Sequence, residues 1–327
     1  MAMHGSAGTR NILVYIGKGK ERISVSHLDK LTDGRGLICN KLTLVIGDEP
    51  FKYNDSAQQI RVREDCVSAL KEFYQTFLNA GHSFGLYVGL PAMDASTETA
   101  INNASAMYGA YKNYIDAMIS AMRSVNKYFN FDLEGFYFTT ETVHPAYKKI
   151  SATNPTATSS VKLMQDLSNY IRNELELDFI WCPYYGFNEN KENIIHNLGV
   201  IANRTNIFDC IMIQPAYYFW PDGCDERNIT AVKKSVSHRD GTLGEVVDLN
   251  GVPVAGGRSA IAEAHIGVVM EMNGSVNSGS YARRYQLYYD AFKDNRNKVD
   301  TIFYGGLLSL ITGTSYMMQK VKDIYLK

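Results

Sequence analysis

The sequence predicts a single-domain (β/α)8 barrel, the TIM-barrel fold of the α/β class, and three observations predict it. Eight apolar runs recur along the 327 residues. Most of them are nearly continuously apolar rather than alternating, which is typical of parallel strands buried on both faces. Amphipathic helical patterns separate the runs, and about eight strands alternating with helices over some 300 residues is the pattern of this barrel.

The strands follow from the apolar runs, whose boundaries lie at polar or glycine-containing stretches. We predict them at residues 11–17, 42–47, 83–90, 133–140, 179–185, 208–219, 265–272 and 301–308. A doubly wound open sheet is the alternative fold. That fold usually has a glycine-rich phosphate turn after the first strand, but the segment 17–20, GKGK, does not match GxGxxG, and GK[ST] is absent.

The helices follow from apolar residues at helical spacing. We predict them at residues 63–80, 104–128, 161–175, 191–202, 281–292 and 315–324. Gly81 is the expected C-terminal stop of the first. Residues 18–41 are polar and irregular, so the first crossover is weakly indicated.

Two segments depart from the barrel pattern. Residues 1–10, MAMHGSAGTR, resemble a vector-derived or disordered leader ahead of a barrel domain at 11–327. A native export signal would then have been removed, and we expect a periplasmic, cell-surface or extracellular protein. Residues 221–259 form the longest interruption, where an Asn-Gly turn predicts a small hairpin. Such an insertion would overhang the active face of a barrel.

The charge balance argues against a nucleic-acid partner. The 33 basic residues nearly equal the 34 acidic ones and form no basic block, whereas phosphate contacts need clustered lysine and arginine. No stretch is long enough to span a membrane. The seven histidines lack HxH or HExxH spacing, so we predict no metal site and no cofactor. The sequence does not indicate the oligomeric state.

The five cysteines are odd in number and widely spaced, and no CxxC or Cys/His metal spacing appears among them. Cys182 and Cys210 lie inside apolar strand-like runs. We interpret them as small buried hydrophobic side chains, and a disulfide between them stays open.

Two glutamates at strand ends are the candidate catalytic residues. Chemistry in such barrels lies at the carboxyl ends of the strands. Glu141 ends the fourth predicted strand, and Glu271 lies in the apolar run GVVMEMNG, where an ionised carboxylate is costly unless paired or functional. Alternation puts Glu141 on the face of Tyr137 and Glu271 on the face of Val269. Strands four and seven face each other across the mouth, so the pair can serve glycoside hydrolysis.

A competing carboxylate precedes Glu141 in the same segment. Glu134, with Asp132, stands at the start of the fourth strand. That is the end of a barrel associated with stability rather than chemistry. We therefore expect both side chains to pair with basic residues there.

Aromatic and amide side chains near the strand ends are the candidate ligand contacts. Aromatic rings offer flat apolar faces that suit sugar rings, and amides can hydrogen-bond hydroxyl groups. Each ring could instead fill the top layer of the barrel. The candidate substrate-binding residues are Tyr15, Tyr137, Trp181, Tyr184, Tyr185, Gln214, Tyr217, Trp220 and Asn273.

Four motifs in order carry a family resemblance. GFYFTTE, WCPYYG, QPAYYF and GVVMEM resemble the GFYWxxE, IPYYG, QPNYFF and GxExE stretches of a bacterial family of barrel domains of unknown function. The likeness runs from about residue 85 onward. That family looks like distant kin of a clan of retaining glycosidases with catalytic glutamates on strands four and seven. The resemblance implies Glu141 as acid/base and Glu271 as nucleophile.

The sequence departs from these patterns at three positions. Thr140 stands where the clan usually has asparagine, Val269 replaces the first strand-seven glutamate, and Ala216 replaces the QPNY asparagine. The carboxylate pair is intact. We therefore predict a glycoside hydrolase acting on an oligo- or polysaccharide, with a retaining or an inverting mechanism. The alternatives are a non-catalytic carbohydrate-binding barrel and a different, metal-assisted barrel enzyme.

Overall fold

The computed structural model describes residues 9–20, 22–34, 36–238, 240–295, 298–312 and 315–326. Most of the predicted leader at 1–10 lies outside these described residues. Arg10, its last residue, already belongs to the first strand.

Eight parallel strands close into a barrel, as predicted. Each strand pairs with the next along the chain, and the first pairs with the last. The strands are β1 Arg10–Ile16, β2 Lys41–Ile46, β3 Gly85–Gly89, β4 Leu133–Phe138, β5 Asp178–Trp181, β6 Cys210–Ile213, β7 His265–Glu271 and β8 Thr301–Tyr304. With helices between the strands, the chain is a (β/α)8 barrel.

The helices are α1 Val25–Asp29, α2 Ser56–Ala80, α3 Glu98–Asn102, α4 Tyr108–Val125, α5 Ser159–Ser168, α6 Lys191–Arg204, α7 Arg227–Ser235, α8 Gly279–Phe292, α9 Leu307–Thr312 and α10 Ser315–Tyr325. A two-stranded hairpin, Thr32–Asp33 with Gly36–Leu37, lies in the first crossover. Helix α2 begins at a side-chain cap, because Asp55 accepts a hydrogen bond of 3.0 Å from the Gln58 amide. It ends at Gly81, which is left-handed at φ 68°.

Three predicted strands, β5, β6 and β8, are clearly shorter than the apolar runs suggested, and β8 ends at Tyr304, before the left-handed Gly306. The run at 208–219 contains β6, which ends at Ile213, just before Pro215 and the left-handed Ala216. Proline lacks an N–H for the strand ladder, and a positive φ turns the chain out of extended geometry. Pro183 ends β5 in the same way. Apolar character continues beyond β5 and β6 because the following turns are also buried.

The barrel holds two apolar regions. Inward-facing side chains fill its centre, among them Leu13, Tyr87, Ile180, Met212 and Val269. A larger region lies between the strands and the surrounding helices. Strands approach closely at Gly135, where a Cβ would lie 2.0 Å from the Asp178 carbonyl oxygen, so a side chain has no room there.

The amino-terminal end of the barrel is held by polar pairs. Glu134 forms an ion pair with Lys41, as predicted, and Asp132 accepts a hydrogen bond from the Tyr74 hydroxyl rather than from a basic residue. Arg172 pairs with Asp209 at 3.0 Å. These carboxylates are engaged in holding strands and helices together at the end opposite the mouth.

The predicted insertion at 221–259 contains the sixth crossover helix, α7, which its sequence pattern did not reveal. It also contains the expected hairpin, with an antiparallel bridge between Val247 and Pro253. The Asn203 amide, on α6, donates to the carbonyl oxygens of Val246 and Val254, each at 3.0 Å. These bonds place the hairpin against α6 on the flank of the barrel, whereas we expected it to overhang the mouth.

All five cysteines are free thiols, so Cys182 and Cys210 form no disulfide in this structure. Among the described residues, no helix combines the length and apolar character needed to cross a membrane.

Candidate active site

The carboxyl ends of the strands form the barrel mouth. Strand alternation determines which side chains reach it, because every second residue faces the barrel interior. Val269, Ile180 and Met212 lie in the inner apolar region. The residues of inward parity at or just beyond the carboxyl ends of the strands include Tyr15, Glu141, Tyr184, Gln214, Glu271 and Tyr304.

Glu141 is held at the mouth by Gln214 and lies beside Tyr184. The Gln214 side-chain amide donates to Glu141 Oε1 at 2.8 Å, and the Tyr184 hydroxyl lies close enough to the same carboxyl group to lower its pKa. The backbone is fixed as well, since the Tyr184 amide donates to the Glu141 carbonyl oxygen at 2.9 Å. Burial raises the pKa of Glu141, although the Tyr184 hydroxyl and the Gln214 amide oppose that shift. The carboxyl group is therefore positioned and remains partly accessible.

Tyrosine hydroxyl groups surround this carboxyl group. The Tyr15 and Tyr304 rings lie 6.3 Å apart and nearly perpendicular. Burial, followed by nearby negative charge that includes Glu141, raises the pKa values of Tyr15, Tyr184 and Tyr304. The hydroxyl groups therefore stay protonated and can donate hydrogen bonds to a polar ligand.

Glu271 is enclosed rather than open. It is 1% exposed. The Tyr288 hydroxyl donates to Glu271 Oε2, and the backbone amides of Ala216 and Tyr218 lie close enough to lower the pKa of its carboxyl group. Burial is the largest cause that raises the pKa of Glu271 to about 8, and the charge of Glu141 raises it further. This coupling shows that the two carboxyl groups share one electrostatic environment.

The segment after β6, residues 214–220, is the turn that covers Glu271; we call it the β6 turn. Ala216 adopts a left-handed φ of 62° within it. The amides of Tyr217 and Tyr218 donate to the Tyr288 hydroxyl at 3.1 and 3.2 Å. Glu271 and Tyr288 together therefore fix the conformation of the β6 turn, which also carries Gln214.

Two of the predicted ligand contacts lie away from the mouth. The Trp181 indole is buried in the outer layer, stacks on Phe208 at 5.3 Å and donates its N–H to the Thr140 carbonyl oxygen at 2.7 Å. The Tyr185 ring is also fully buried, and its hydroxyl donates to the Val247 carbonyl oxygen at 2.6 Å. The reason is alternation, because the inward positions around them belong to residues 180, 182 and 184.

The remaining predicted ligand contacts lie at different depths relative to the barrel mouth. Tyr137 is buried in the inner region, beneath the mouth. Tyr217 is half-buried, with its hydroxyl 3.3 Å from Glu226. Asn273 Oδ1 accepts a hydrogen bond of 2.9 Å from the Tyr218 hydroxyl, so Asn273 supports the β6 turn. Trp220 lies exposed at the rim.

Sequence reasoning missed Tyr304 and Tyr288. Tyr304 could have been found, because it has the inward parity at the end of β8. Tyr288 gave no local signal, since it lies on α8 and reaches Glu271 only through tertiary packing. Of the mouth residues, those that the sequence predicted and the structure brings together are Tyr15, Glu141, Tyr184 and Gln214.

Several solved structures resemble this chain at a distance. A group IV chitinase from Ostrinia furnacalis is 11% identical with a TM-score of 0.34, and the match covers 82% of this chain and 70% of that one. A mannanase from Bacillus subtilis is 12% identical with a TM-score of 0.43, covering 97% and 86%. A HpcH/Hpal aldolase/citrate lyase family protein from Burkholderia cenocepacia is 14% identical with a TM-score of 0.38, covering 98% and 96%. At these values the likeness assigns neither a reaction nor a substrate.

No curated protein matches the sequence. A family model described as "Domain of unknown function (DUF4855)" matches residues 77–242, slightly more than half of the chain. The matched region includes Glu141, Tyr184 and Gln214 and ends before Glu271. This match confirms the predicted resemblance to a family of domains of unknown function. The chain belongs to the DUF4855 family.

Proposed function

We propose that this protein is a glycoside hydrolase that cleaves a glycosidic bond in an oligo- or polysaccharide, with Glu141 as the general acid/base. One observation carries the proposal. Glu141 lies in the barrel mouth with a pKa raised by burial, is held by Gln214 and Tyr184, and is surrounded by tyrosine hydroxyl groups. A carboxyl group that retains its proton can protonate the leaving oxygen, and the tyrosines suit sugar hydroxyls.

Glu271 is the second carboxylate of the proposed pair. In a retaining mechanism its ionised carboxylate attacks the anomeric carbon, and in an inverting mechanism the carboxylate activates a water molecule. Either role begins with loss of the proton that burial favours on this group. The electrostatic coupling to Glu141 supports its proximity to the site. Its enclosure means that the β6 turn must move before the carboxyl group can reach a sugar. Hydrolysis by this pair therefore requires a second conformation of the residues 216–218.

The first experiment measures release of reducing ends from a panel of gluco-, manno- and N-acetylglucosamine oligosaccharides. Glu141→Gln is expected to lower kcat by at least about 10²-fold, the usual contribution of general acid–base catalysis. Glu271→Gln is expected to do the same if it is the nucleophile or base. Glu64→Gln, a change of the same chemistry at an exposed position on α2, serves as the control. Wild-type turnover in Glu141→Gln would refute the acid/base assignment.

The stereochemistry of the product separates the two mechanisms. Proton NMR of the first product formed shows whether the anomeric configuration is retained or inverted. Retention is expected if Glu271 forms a covalent glycosyl–enzyme intermediate, which a 2-deoxy-2-fluoro glycoside should trap on that residue. An inverted product would assign Glu271 as a base instead.

A non-catalytic carbohydrate-binding barrel is the second candidate function, and the enclosure of Glu271 favours it. A carboxyl group that is 1% exposed and accepts a hydrogen bond from Tyr288 serves as a support for the β6 turn without any chemistry. This candidate predicts saturable glycan binding by calorimetry with no product at long times. Cleavage that depends on Glu141 would exclude it.

A further inference from the structure

We infer that the barrel mouth extends into an outer subsite that binds a further sugar residue of an extended chain, on a platform formed by Phe187 and Trp220. The inference rests on the proposed carbohydrate function and specifies the substrate class as a chain of several sugar residues. The outer subsite consists of this aromatic platform and an adjoining polar cleft between the loops after β5 and β6.

The platform begins at the catalytic carboxyl group. The Tyr184 amide donates to the Glu141 carbonyl oxygen at 2.9 Å, and the Tyr184 ring stacks on Phe187 with centroids 5.8 Å apart and planes at 27°. Phe187 in turn meets Trp220 edge to face at 5.7 Å. The rings therefore form a continuous line from Glu141 to the rim.

Trp220 is placed unusually for a tryptophan. It is 53% exposed, whereas Trp181, the other tryptophan in the sequence, is fully buried. A single exposed aromatic residue needs no special explanation. Here, however, the exposed ring terminates a line of contacts that starts at the mouth, and the Trp220 carbonyl oxygen is hydrogen-bonded to Gly223, which lines a polar cleft.

The cleft adjoins the platform directly and has a volume of ≈ 770 Å³. It falls within the range of about 300–1,000 Å³ that is usual for small-molecule sites. Amide, carboxylate and ammonium groups line it, including Asn188, Asn190, Lys191 and Asp222. Such groups can donate to and accept from sugar hydroxyls.

Backbone hydrogen bonds join the cleft to the platform. The Asn188 amide donates to the Gly223 carbonyl oxygen at 2.8 Å, and the Gly223 amide donates to the Trp220 carbonyl oxygen at 3.1 Å. A Cβ at Gly223 would lie 2.6 Å from Asn188 Oδ1 and 3.1 Å from the Phe187 ring, so the absent side chain keeps this wall open. The two loops therefore present one surface.

A sugar ring matches this combination chemically. Its apolar C–H face packs on an aromatic ring, while its equatorial hydroxyls need hydrogen-bonding partners at the edge. A sugar residue bound at Glu141 leaves the line of rings beyond Tyr184 for the next residues of the same chain. Affinity should therefore depend on the length of the oligosaccharide.

The test is isothermal titration calorimetry on the Glu141→Gln protein, with the oligosaccharide series that the wild-type protein recognises, from disaccharide to hexasaccharide. Affinity should rise with chain length. Adding Trp220→Ala should weaken hexasaccharide binding about ten-fold and disaccharide binding less than about two-fold, because only the longer chain reaches the ring. Acrylamide quenching of tryptophan fluorescence should fall when the hexasaccharide shields Trp220.

Phe131→Ala is the matched control. Phe131 is 86% exposed and precedes β4, at the opposite end of the barrel, so its loss should leave both affinities unchanged. Equal losses for the short and long oligosaccharides in Trp220→Ala, or no loss, would overturn the outer subsite while leaving the proposed function intact. Failure of the wild-type protein to bind or cleave any glycan would overturn the proposed function, and this inference with it.

Discussion

The change Glu271→Gln tests the physical account of the enclosed carboxyl group. Burial raises the pKa of Glu271 from 4.5 to about 8, with a further contribution from the charge of Glu141. The folded protein therefore keeps a proton on this group at pH values where the unfolded chain has released it. Glutamine has the same shape and carries no titrating proton, so it removes this linkage between folding and pH.

The sign and the size of the pH dependence of stability follow from the pKa values of Glu271 in the folded and in the unfolded chain. A raised folded-state pKa stabilises the fold fully below pH 4.5, and this stabilisation is lost as the pH rises to about 8. Each unit of pKa difference corresponds to about 1.36 kcal/mol. The free energy of unfolding of the wild-type protein should therefore fall by roughly 4–5 kcal/mol relative to that of Glu271→Gln across this window.

Urea unfolding of both proteins at several pH values across the window provides the measurement. The difference between their free energies of unfolding is expected to change steadily with pH and to level off above the folded pKa. Glu64→Gln controls for loss of a carboxylate at an exposed position and should follow the wild-type curve. Parallel curves for the wild type and Glu271→Gln would refute the reasoning, since the buried group would then titrate as it does in the unfolded chain.

Three other changes address particular contacts. Tyr288→Phe removes a hydroxyl bonded to a buried carboxyl group and two backbone amides, and should lower the free energy of unfolding by about 1–3 kcal/mol in urea. Tyr285→Phe, on the same helix, should be nearly neutral, because its buried hydroxyl has no hydrogen-bond partner within the described part of the chain. Tyr184→Phe removes a hydroxyl group that lowers the pKa of Glu141. The basic limb of the kcat/KM profile should then move to higher pH, and an unmoved limb would exclude Glu141 as the acid. Trp181→Ala should cost about 3–5 kcal/mol of stability without changing glycan affinity; weaker binding at unchanged stability would contradict its buried position.

The fold could be predicted from the sequence because its main determinant is local. Strands buried on both faces need continuous apolar runs, and all eight runs contain a strand of the barrel. Helix α7 escaped prediction because its nine residues lie within a long polar segment and its buried face has only two large apolar side chains, Ile229 and Val232. The flank position of the hairpin depends on the amide of Asn203, which lies more than 40 residues away in sequence from the hairpin carbonyls that it binds.

The candidate site, like the fold, could be predicted from the sequence only in part. The sequence by itself determined that Glu141 lies just beyond a barrel strand and that Tyr15, Tyr184 and Gln214 lie at or just beyond the ends of other strands, because strand position and parity are encoded locally. Only the tertiary structure decided which groups are open and which are covered. Tyr288 and the β6 turn enclose Glu271, and the outer layer takes up Trp181. Burial depends on elements distant in sequence that pack over a residue, and no local pattern contains that information.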